Sequence, residues 1–450
     1  MIMSVIRRKE PFLLFVGDII VLFASLFLAL SIRNGDFPDI EIFNLHLAPF
    51  SILFVVSILV NFIFGLYEKH TLIFKNRLPI TLLNVQIINA IIGIAFFYFI
   101  PFYSITPKVI LFIYITVSLM LMSLWRMFLS PKLGPKRTQR ALIVGDTKET
   151  EELYEEVNHN SRYHLIFTGI LRPSSDAQTT VKEISDYILK NKISLVVIDT
   201  RHVKLLNVVP ELYNFTLSGV MFFDVSKMYE SIFDRVPISL VGKMWFVENM
   251  SAVAPKFIYD SLKRSFDIFI SLVLGIISIF LYPFIMLIMK IEDKDNVIFT
   301  FQPRIGQNNK LINIIKFRTM KIANDNGNAV GNKVTKFGSY MRKLRIDELP
   351  QLWNVIKGDL SLIGPRPELP KYVEKYSNEI PYYSLRHSIK PGLSGWAQIY
   401  HQEHPHHGVD IEETRNKLSY DLFYIKNRSL LLDLKIALRT IKVLLTFVGR

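Results

Sequence analysis

Two adjacent carboxylates, Asp347 and Glu348, stand directly before Leu349-Pro350 in a segment that ends at Gly358. Proline is suited to the first turn of a helix and glycine to its end. The sequence therefore predicts a short helix whose positive dipole end faces both carboxylates and keeps them ionised at neutral pH. An ionised carboxylate can attack phosphorus while its neighbour holds a magnesium ion. The ordinary alternative is a helix cap, and the pair by itself favours that alternative.

Basic side chains suited to phosphate lie on both sides of this pair in sequence. Those before it are Arg304, Lys310, Lys316 and Arg318, and Arg366 follows it within Gly364-Pro365-Arg366-Pro367. The prolines and the glycine would fix the guanidinium of Arg366, as bidentate recognition of phosphate requires. Solvated charges and a structural turn are the alternatives.

The elements that must position these groups form a mixed α+β region. Segments 296–300 and 312–318 predict two strands around the turn 306–309. The predicted helix begins at Pro350 and ends at Gly358. Residues 390–398 form a rigid loop rich in glycine.

Upstream of this region, strands alternate with helices. Buried strands are predicted at 141–145, 166–171, 194–199 and 220–224, with helices at 148–158 and 180–190. This alternation favours a small parallel sheet of Rossmann-like type. The turn after the first strand has Gly145 but not the three glycines of a dinucleotide-binding loop, and its carboxylates would repel a pyrophosphate. A structural or regulatory role is favoured over a dinucleotide site.

The first third of the chain is apolar. The 450 residues are 50% hydrophobic, carry a net charge of +14 and include no cysteine, which excludes disulfides and a cysteine nucleophile. Four stretches, 12–32, 47–67, 78–102 and 109–129, are each long enough to cross a bilayer as a helix. The basic charge suits an anionic membrane surface or phosphate-bearing substrates, and no nucleic-acid module accompanies it.

Basic residues flank alternate ends of these spans. They are Arg7, Arg8 and Lys9 before the first span, Lys69, Lys75 and Arg77 after the second, and Lys132, Lys136, Arg137 and Arg140 after the fourth. The positive-inside rule predicts that both ends of a four-helix bundle lie in the cytoplasm. Asp18, within the first span, either has a function or makes a buried packing contact between helices. Arg126, near a span end, is expected to extend to the membrane interface.

A fifth apolar stretch, 266–289, contains Pro283 and predicts a crossing helix when considered alone. Both of its flanks are basic: Lys263 and Arg264 precede it, and Lys290 and Lys294 follow it. Two basic flanks and an internal proline favour a re-entrant hairpin over about 262–290, broken at Pro283. A fully crossing helix kinked at the proline is the alternative.

Six sequence blocks in a fixed order resemble the catalytic domain of the bacterial sugar transferases, the monotopic polyprenyl-phosphate sugar-phosphate transferases. The blocks are Lys263-Arg264-Ser265-Phe266-Asp267, Gln302-x-Arg304-x-Gly306, Lys316-Phe317-Arg318-Thr319-Met320, Asp347-Glu348-Leu349-Pro350-Gln351, Gly364-Pro365-Arg366-Pro367 and Lys390-Pro391-Gly392-Leu393-Ser394-Gly395-Trp396-Ala397-Gln398. The resemblance is close over about 255–450. It implies a four-span transmembrane bundle at 1–135, a degenerate Rossmann-like cytoplasmic domain at 136–250 and an α+β catalytic domain at 251–450.

The resemblance also implies a reaction and its residues. Asp347 matches a nucleophile that attacks the sugar-bearing phosphate of a UDP-sugar, releases UMP and passes hexose 1-phosphate to undecaprenyl phosphate, which starts a surface polysaccharide. Glu348 matches the Mg²⁺ ligand, and Arg366 matches an arginine near the substrate phosphate. The remaining matched positions are Gln302, Arg304, Lys316 and Arg318 at the site, and Asp421 as a further candidate metal ligand.

The implied protein is a multi-pass protein of the bacterial inner membrane, in contact with membrane lipid, whose catalytic domain lies on the cytoplasmic face. Whether it forms a homo-oligomer and which sugar it transfers are left open. The sequence departs from the family at Tyr282-Pro283, where a Ser-Pro pair is common, and at 401–407, a histidine-rich loop expected to be solvated rather than metal-binding. A non-catalytic scaffold, a nucleotide-sugar epimerase or dehydratase, and a transporter are the alternative functions.

Overall fold

The computed structural model describes residues 9–67, 78–99, 108–130, 139–160, 165–174, 176–199, 213–240, 256–292, 297–325, 328–400 and 410–445, together with 163, 242 and 249. The chain divides into two compact units, Met1–Val225 and Ser226–Arg450. The histidine-rich loop at 401–407 lies outside the described residues. So do most of the basic residues that flank the predicted spans, Arg7, Arg8, Lys69, Lys75, Arg77, Lys132, Lys136, Arg137 and Lys294.

The first unit begins with four apolar helices. They are α1 (Lys9–Asn34), α2 (Ile40–Ile63), α3 (Leu78–Phe99) and α4 (Lys108–Leu124), the last continued by a π-helical turn at Trp125–Leu129. They share a core in which Leu26, Leu30, Phe50 and Tyr114 are buried. All four are long and apolar enough to cross a membrane, as expected from the sequence.

A buried ion pair ties the ends of three of these helices together. Arg126 is 1% exposed and its Nε donates to Asp18 Oδ1 at 3.0 Å, while Nη1 donates to the carbonyl of Leu66 at 2.6 Å. Asp18 Oδ2 also accepts from Asn61 (3.2 Å) and Tyr67 (2.7 Å). The prediction that Arg126 extends to the interface is therefore wrong. An arginine that left Asp18 would strand a buried carboxylate, so the two charges pair instead.

A four-stranded parallel sheet completes the first unit. Its strands are β1 (Gln139–Val144), β2 (Leu165–Leu171), β3 (Leu195–Ile198) and β4 (Met221–Asp224), and they alternate with α5 (Lys148–His159), α6 (Ala177–Asn191) and α7 (Tyr213–Leu217). The strand order is β2-β1-β3-β4, with Val144 paired to Leu171 on one side and Ile198 on the other. The predicted strands and helices are confirmed. The order is that of flavodoxin-like doubly wound sheets rather than that of the dinucleotide-binding fold.

The start of α5 is held by the chain's own side chains. Thr147 and Thr150 form a reciprocal capping box. Arg172 lies 3.2 Å from Asp146 and 3.3 Å from Glu151. The capping box satisfies amides at the helix start that a phosphate could otherwise contact, in keeping with the missing glycines.

The second unit begins earlier than the predicted boundary at residue 251. Helix α8 (Val225–Phe233) spans the junction and is followed by a 3₁₀ turn at Ile238–Leu240. Val236 is fully buried and its N–H donates to the carbonyl of Ser419 at 3.0 Å. This segment therefore belongs to the core of the second unit.

The long helix α9 (Phe257–Glu292) continues through Pro283 without a break. The predicted break at Pro283 is therefore not found, because a proline removes one hydrogen bond and can bend a helix without ending it. Near its start, Arg264 donates to the carbonyls of Val355 and Ile356 at 2.6 and 2.7 Å. Near its end, Met289 packs with Phe317. Residues near both ends of α9 thus contact other elements of the second unit, to which α9 itself belongs.

The remaining elements of the second unit are short strand pairs and helices. Among the described residues, β5 (Phe299–Ile305) pairs with β6 (Leu311–Phe317) and β7 (Met320–Asp325) with β8 (Asn328–Val334), both antiparallel, while β9 (Ser361–Ile363) pairs in parallel with β10 (Gly392–Ser394). The helices are α10 (Lys336–Lys343), α11 (Gln351–Lys357), α12 (Pro370–Glu379), α13 (Trp396–Tyr400), α14 (Ile411–Asn427) and α15 (Leu430–Leu445). The core contains Tyr383, Trp396, Leu422, Tyr424 and Ile436.

Two of these elements lie close to the positions predicted from the sequence. Helix α11 lies between Pro350 and Gly358, and Gly358 ends it with φ +99°, a conformation that favours glycine. The predicted turn at 306–309 contains a 3₁₀ turn at Gln307–Asn309 between β5 and β6. Strand β5 starts at Phe299, later than predicted.

Candidate active site

The acidic pair lies on a 3₁₀ turn, Ile346–Glu348, between α10 and α11. Arg345 precedes the turn with φ +56°, a strained value for a residue with a side chain. Asp347 is 9% exposed. A tight turn therefore places the acidic pair partly inside the second unit, directly before the short helix α11.

Glu348 is surrounded by cations. Its Oε1 accepts from Lys316 Nζ at 3.1 Å and from Arg366 Nη2 at 3.3 Å, and its Oε2 lies 3.5 Å from Arg345 Nη1. Burial raises the pKa of Glu348, but Arg366, Lys316 and Arg345 outweigh burial and lower this pKa to about 2. Glu348 is ionised at all ordinary pH values.

The pKa of Asp347 is shifted in the opposite direction to that of Glu348. Burial and, second, the charge of Glu348 raise the pKa of Asp347 to about 6, against the opposing charges of Lys316, Arg345 and Arg342. Its Oδ1 is buried and has no hydrogen-bond partner among the described residues. The carboxylate is nevertheless mostly ionised at pH 7. Both carboxylates are therefore ionised at neutral pH, as expected, but burial rather than a helix dipole has the largest effect on the pKa of Asp347.

The β5–β6 hairpin supplies polar groups from one of its faces. Gln302, Arg304 and Lys316 are at alternate positions of the paired strands, so their side chains share a face. Arg304 Nη2 donates to Gln302 Oε1 at 3.1 Å. Burial lowers the pKa of Lys316, and Glu348 opposes this shift. The hairpin thus brings a buried ammonium to the acidic pair.

Two of the predicted basic residues are not brought to the pair. Arg318 follows β6, and its Nε donates to the carbonyl of Met320 at 3.2 Å. Lys310 is exposed in the β5–β6 turn. Conversely, sequence reasoning missed Arg345, whose basic side chain three residues before Glu348 was a local signal for this contact.

Two glycine-rich loops cross at close range and fix Arg366. A Cβ on Gly364 would lie 2.6 Å from the carbonyl oxygen of Lys390. A Cβ on Gly392 or Gly395 would collide with the backbone of Gly364. The loops bond through Gly364 N–H to Ser394 O at 2.8 Å. The side chain of Arg366 remains 40% exposed while it contacts Glu348.

Asp421 lies away from the acidic pair. It is 1% exposed in α14, and its Oδ2 is 2.8 Å from Arg386 Nη2. Burial raises the pKa of Asp421 to about 6, opposed by Arg386. The structure thus gives Asp421 an arginine partner, and its role as a metal ligand stays a prediction. Arg386 was not predicted, since nothing in its local sequence marks a buried ion pair.

Only a small donor set is present for a metal. No group of three or more acidic or histidine side chains in the described part of the chain could hold an ion. Magnesium commonly uses one or two carboxylates and takes its other ligands from substrate phosphates and water. The ionised Glu348 has one oxygen, Oε2, with no contact shorter than 3.5 Å among the described groups, and this fits such an arrangement.

Comparison with known proteins gives the site its family. Residues 258–447 match the family model described as bacterial sugar transferase. An Aeromonas hydrophila UDP-N-acetylgalactosamine-undecaprenyl-phosphate N-acetylgalactosaminephosphotransferase is 38% identical over 242 residues, which cover 52% of this chain and 54% of that protein. The chain therefore spans about half the length of that relative.

Two shorter relatives are matched over most of their length. An uncharacterized sugar transferase, EpsL, of Bacillus subtilis is 39% identical over 191 residues, 42% of this chain and 89% of that protein. A UDP-glucose:undecaprenyl-phosphate glucose-1-phosphate transferase of Caulobacter vibrioides is 36% identical over 198 residues, 43% of this chain and 73% of that protein. The region that contains the acidic pair thus lies within the part of the chain that matches sugar transferases. The chain belongs to the bacterial sugar transferase family.

Proposed function

We propose that this protein transfers a hexose 1-phosphate from a UDP-sugar to undecaprenyl phosphate and releases UMP. The observation that carries the proposal is Asp347, whose buried and unpartnered Oδ1 stands beside the cation-bound Glu348. The Aeromonas and Caulobacter relatives bear names that describe this type of transfer. Such a reaction would start the repeat unit of a surface polysaccharide.

In the first step, an oxygen of ionised Asp347 attacks the phosphorus that carries the sugar. A bond forms between this oxygen and phosphorus, and the bond from phosphorus to the bridging oxygen breaks. UMP leaves with the bonding electrons, and a phosphosugar-aspartyl intermediate remains. Arg366 and Lys316, which already face the pair, would offset the charge on the phosphate oxygens.

In the second step, a phosphate oxygen of undecaprenyl phosphate attacks the same phosphorus. The bond between phosphorus and Asp347 breaks, and the carboxylate is regenerated. The product is a sugar joined to the lipid through a diphosphate. The acceptor brings its own anionic oxygen, so this step needs no general base at Asp347.

Magnesium would be held by Glu348 and would supply positive charge that offsets the charge developing on the phosphate of the departing UMP. Two further side chains of the second unit would act on the donor. Arg304 and Gln302, bonded to each other on the β5–β6 hairpin, border the cations that face the pair. They would orient the donor.

The membrane arrangement is part of the same proposal. Helices α1–α4 would cross the bacterial inner membrane, and α9, bent at Pro283 within the bilayer, would enter and leave it on the cytoplasmic side. The supporting observations are the apolar exposed middle of α9, with Phe269 at 65% and Phe280 at 72% exposed, and the contacts of both its ends with one unit. A cytoplasmic site would let a soluble donor and a lipid acceptor reach Asp347.

UMP release tests the proposal directly. The full chain in nanodiscs is mixed with undecaprenyl phosphate, Mg²⁺ and a panel of UDP-sugars, and UMP is measured. We expect release with at least one donor and none with Asp347→Asn. Asp359→Asn, which removes a carboxylate paired with the exposed Lys357, is the matched control and should remain active. If the native protein releases no UMP with any donor, a non-catalytic scaffold is favoured. Full activity of Asp347→Asn would instead contradict the role of Asp347 as nucleophile.

A further inference from the structure

A buried arginine outside the acidic pair is bonded to the main chain of Arg366. Arg386 is 5% exposed, on the 3₁₀ turn Tyr383–His387. Its Nη1 donates to the hydroxyl of Tyr383 at 2.6 Å, and its Nη2 lies 2.8 Å from Asp421 Oδ2. Nη2 also donates to the carbonyl oxygen of Arg366 at 3.1 Å. One guanidinium therefore joins helix α14 to the loop that carries Arg366.

On either side of Arg366, the loop is held by hydrogen bonds between main-chain groups. Pro365 O accepts from Gly392 N–H at 2.9 Å, and Glu368 O accepts from Ile305 N–H at 3.0 Å. Between these two points, the carbonyl of Arg366 is held by the side chain of Arg386. The peptide plane of Arg366 is thus set by a side chain that can be changed by substitution.

The other end of Arg366 faces the acidic pair. Its Nη2 is 3.3 Å from Glu348 Oε1, and its side chain is 40% exposed, so a ligand can reach it. Arg386 is too buried to reach one. Contacts therefore run in series from Asp421 through Arg386 and Arg366 to Glu348.

We propose that Arg386, oriented by Asp421 and Tyr383, is a positioning residue that aims Arg366 at the sugar-bearing phosphate. This inference rests on the proposed function. It also assigns Asp421 a role through an arginine rather than through a metal. The planar fork of arginine is required, because one group must contact a carboxylate, a hydroxyl and a carbonyl in fixed directions.

Arg386→Lys tests the proposal while keeping the charge that Asp421 needs. An ammonium cannot satisfy all three partners at once, so the peptide plane of Arg366 shifts. We expect kcat for UMP release to fall about 100-fold, as small misplacements of a binding group can cause, and KM for the donor to rise as well. Arg428→Lys is the matched control. Arg428 is 8% exposed and pairs with Asp260 at 3.5 Å. It should lose stability without losing kcat.

A double-substitution cycle separates positioning from a general loss of structure. In an Arg366→Lys background, Arg386→Lys should change kcat by less than about threefold, because the group that it positions has been replaced. A full and additive loss in that background would overturn the proposal. So would native kcat in Arg386→Lys alone.

Binding of UDP, measured as a rise in melting temperature, tests the positioning role of Arg386 without requiring turnover. UDP should raise the melting temperature of the native protein and of Arg428→Lys, and this rise should be lost in Arg386→Lys. If the native protein binds UDP but releases no UMP from any donor, the proposed function fails and positioning stands. Equal stabilisation of Arg386→Lys by UDP would overturn positioning alone. No stabilisation of the native protein would overturn both.

Discussion

Asp347 and Glu348 are adjacent in sequence, yet their surroundings move their pKa values apart. Three cations contact Glu348 and lower its pKa to about 2, even though burial acts against them. At Asp347 burial prevails and raises the pKa to about 6. The two carboxylates are thereby suited to different tasks. Glu348 is a permanent anion, whereas Asp347 is a poorly solvated carboxylate with an unpartnered oxygen, which suits the nucleophile proposed above.

Ionised Asp347 should reduce the stability of the protein. Its folded-state pKa of about 6 exceeds the ordinary 3.8. Protonation therefore favours the folded state, and this stability is present below the ordinary pKa and lost as pH rises through about 6. At pH 7.5 we expect Asp347→Asn to unfold with a free energy greater by on the order of 1–3 kcal/mol, although it is inactive.

Thermal and denaturant unfolding of the full chain at pH 7.5 and pH 4 measures this difference. At pH 4, where native Asp347 is protonated, the difference should largely disappear. Asp359→Asn, with a partly exposed carboxylate, should not show this pattern. An Asp347→Asn variant that is less stable at pH 7.5 would contradict the interpretation.

The pH dependence of catalysis should report the same carboxylate. We expect kcat/KM to fall as pH drops through about 6, because protonated Asp347 cannot attack phosphorus. Lys316 lowers the pKa of Asp347. Lys316→Met should therefore move the acid limb to higher pH, besides reducing the rate. Lys310→Met, at an exposed position of the same hairpin, should leave the limb in place. A limb that moves to lower pH in Lys316→Met would refute this assignment.

Elements whose signals are local were predicted well from sequence. Gly358 ends α11 because its φ of +99° suits glycine, and Val144 and Ile198 occupy strands because their runs are continuously apolar. Gln302, Arg304 and Lys316 share one face of the β5–β6 hairpin, but the predicted strand at 296–300 ended before the first two of them. Residues 390–398, predicted to form a rigid loop, contain β10 and the start of α13. Their close backbone approach to Gly364 joins two segments and cannot be seen in either one alone.

Contacts between distant segments could not be predicted in this way. Asp18 and Arg126 are 108 positions apart, and no local pattern pairs them. Arg386 and Asp421 are likewise joined only when α14 packs beside the turn Tyr383–His387. The pKa of Asp347 also depends on burial that the helix-dipole argument did not include. Burial and long-range pairing are properties of packing, not of the local sequence.

The Asp18–Arg126 pair should be essential to the helices that it joins. Asp18→Asn leaves the guanidinium of Arg126, which is 1% exposed, without its anionic partner. Breaking a buried pair in this manner typically costs about 3–5 kcal/mol, whereas replacing both charges by apolar groups costs far less. We expect Asp18→Asn to be strongly destabilised and Asp18→Leu combined with Arg126→Met to recover much of the loss.

Denaturation of the full chain in detergent micelles, followed by loss of helical circular dichroism, measures these differences. Asp36→Asn, at an exposed position between α1 and α2, is the control and should behave as the native protein does. If Asp18→Asn is as stable as the native protein, the pair contributes nothing to the packing of these helices.

At the scale of the whole molecule, charge and hydropathy agree on one arrangement. Within the part of the chain that the structure describes, five helices are long and apolar enough to cross a membrane, and the chain carries a net charge of +14. If α1–α4 cross and α9 does not, the start of the chain and the second unit lie on the same side. Near the two ends of α9, Arg264 and Met289 contact other elements of the second unit. A helix that crossed the membrane and led away from those elements would not make both contacts.

Site-directed labelling distinguishes a re-entrant α9 from a crossing one, and the absence of native cysteine makes each introduced thiol unique. Ser261→Cys and Ile291→Cys place exposed thiols near the two ends of α9, and Phe37→Cys places one between α1 and α2. With a membrane-impermeant maleimide, we expect both α9 positions to react only in inverted vesicles and Phe37→Cys only in spheroplasts. Labelling of Ile291→Cys together with Phe37→Cys would mean that α9 crosses. The active site would then face away from cytoplasmic UDP-sugars, and the proposed transfer would lose its donor.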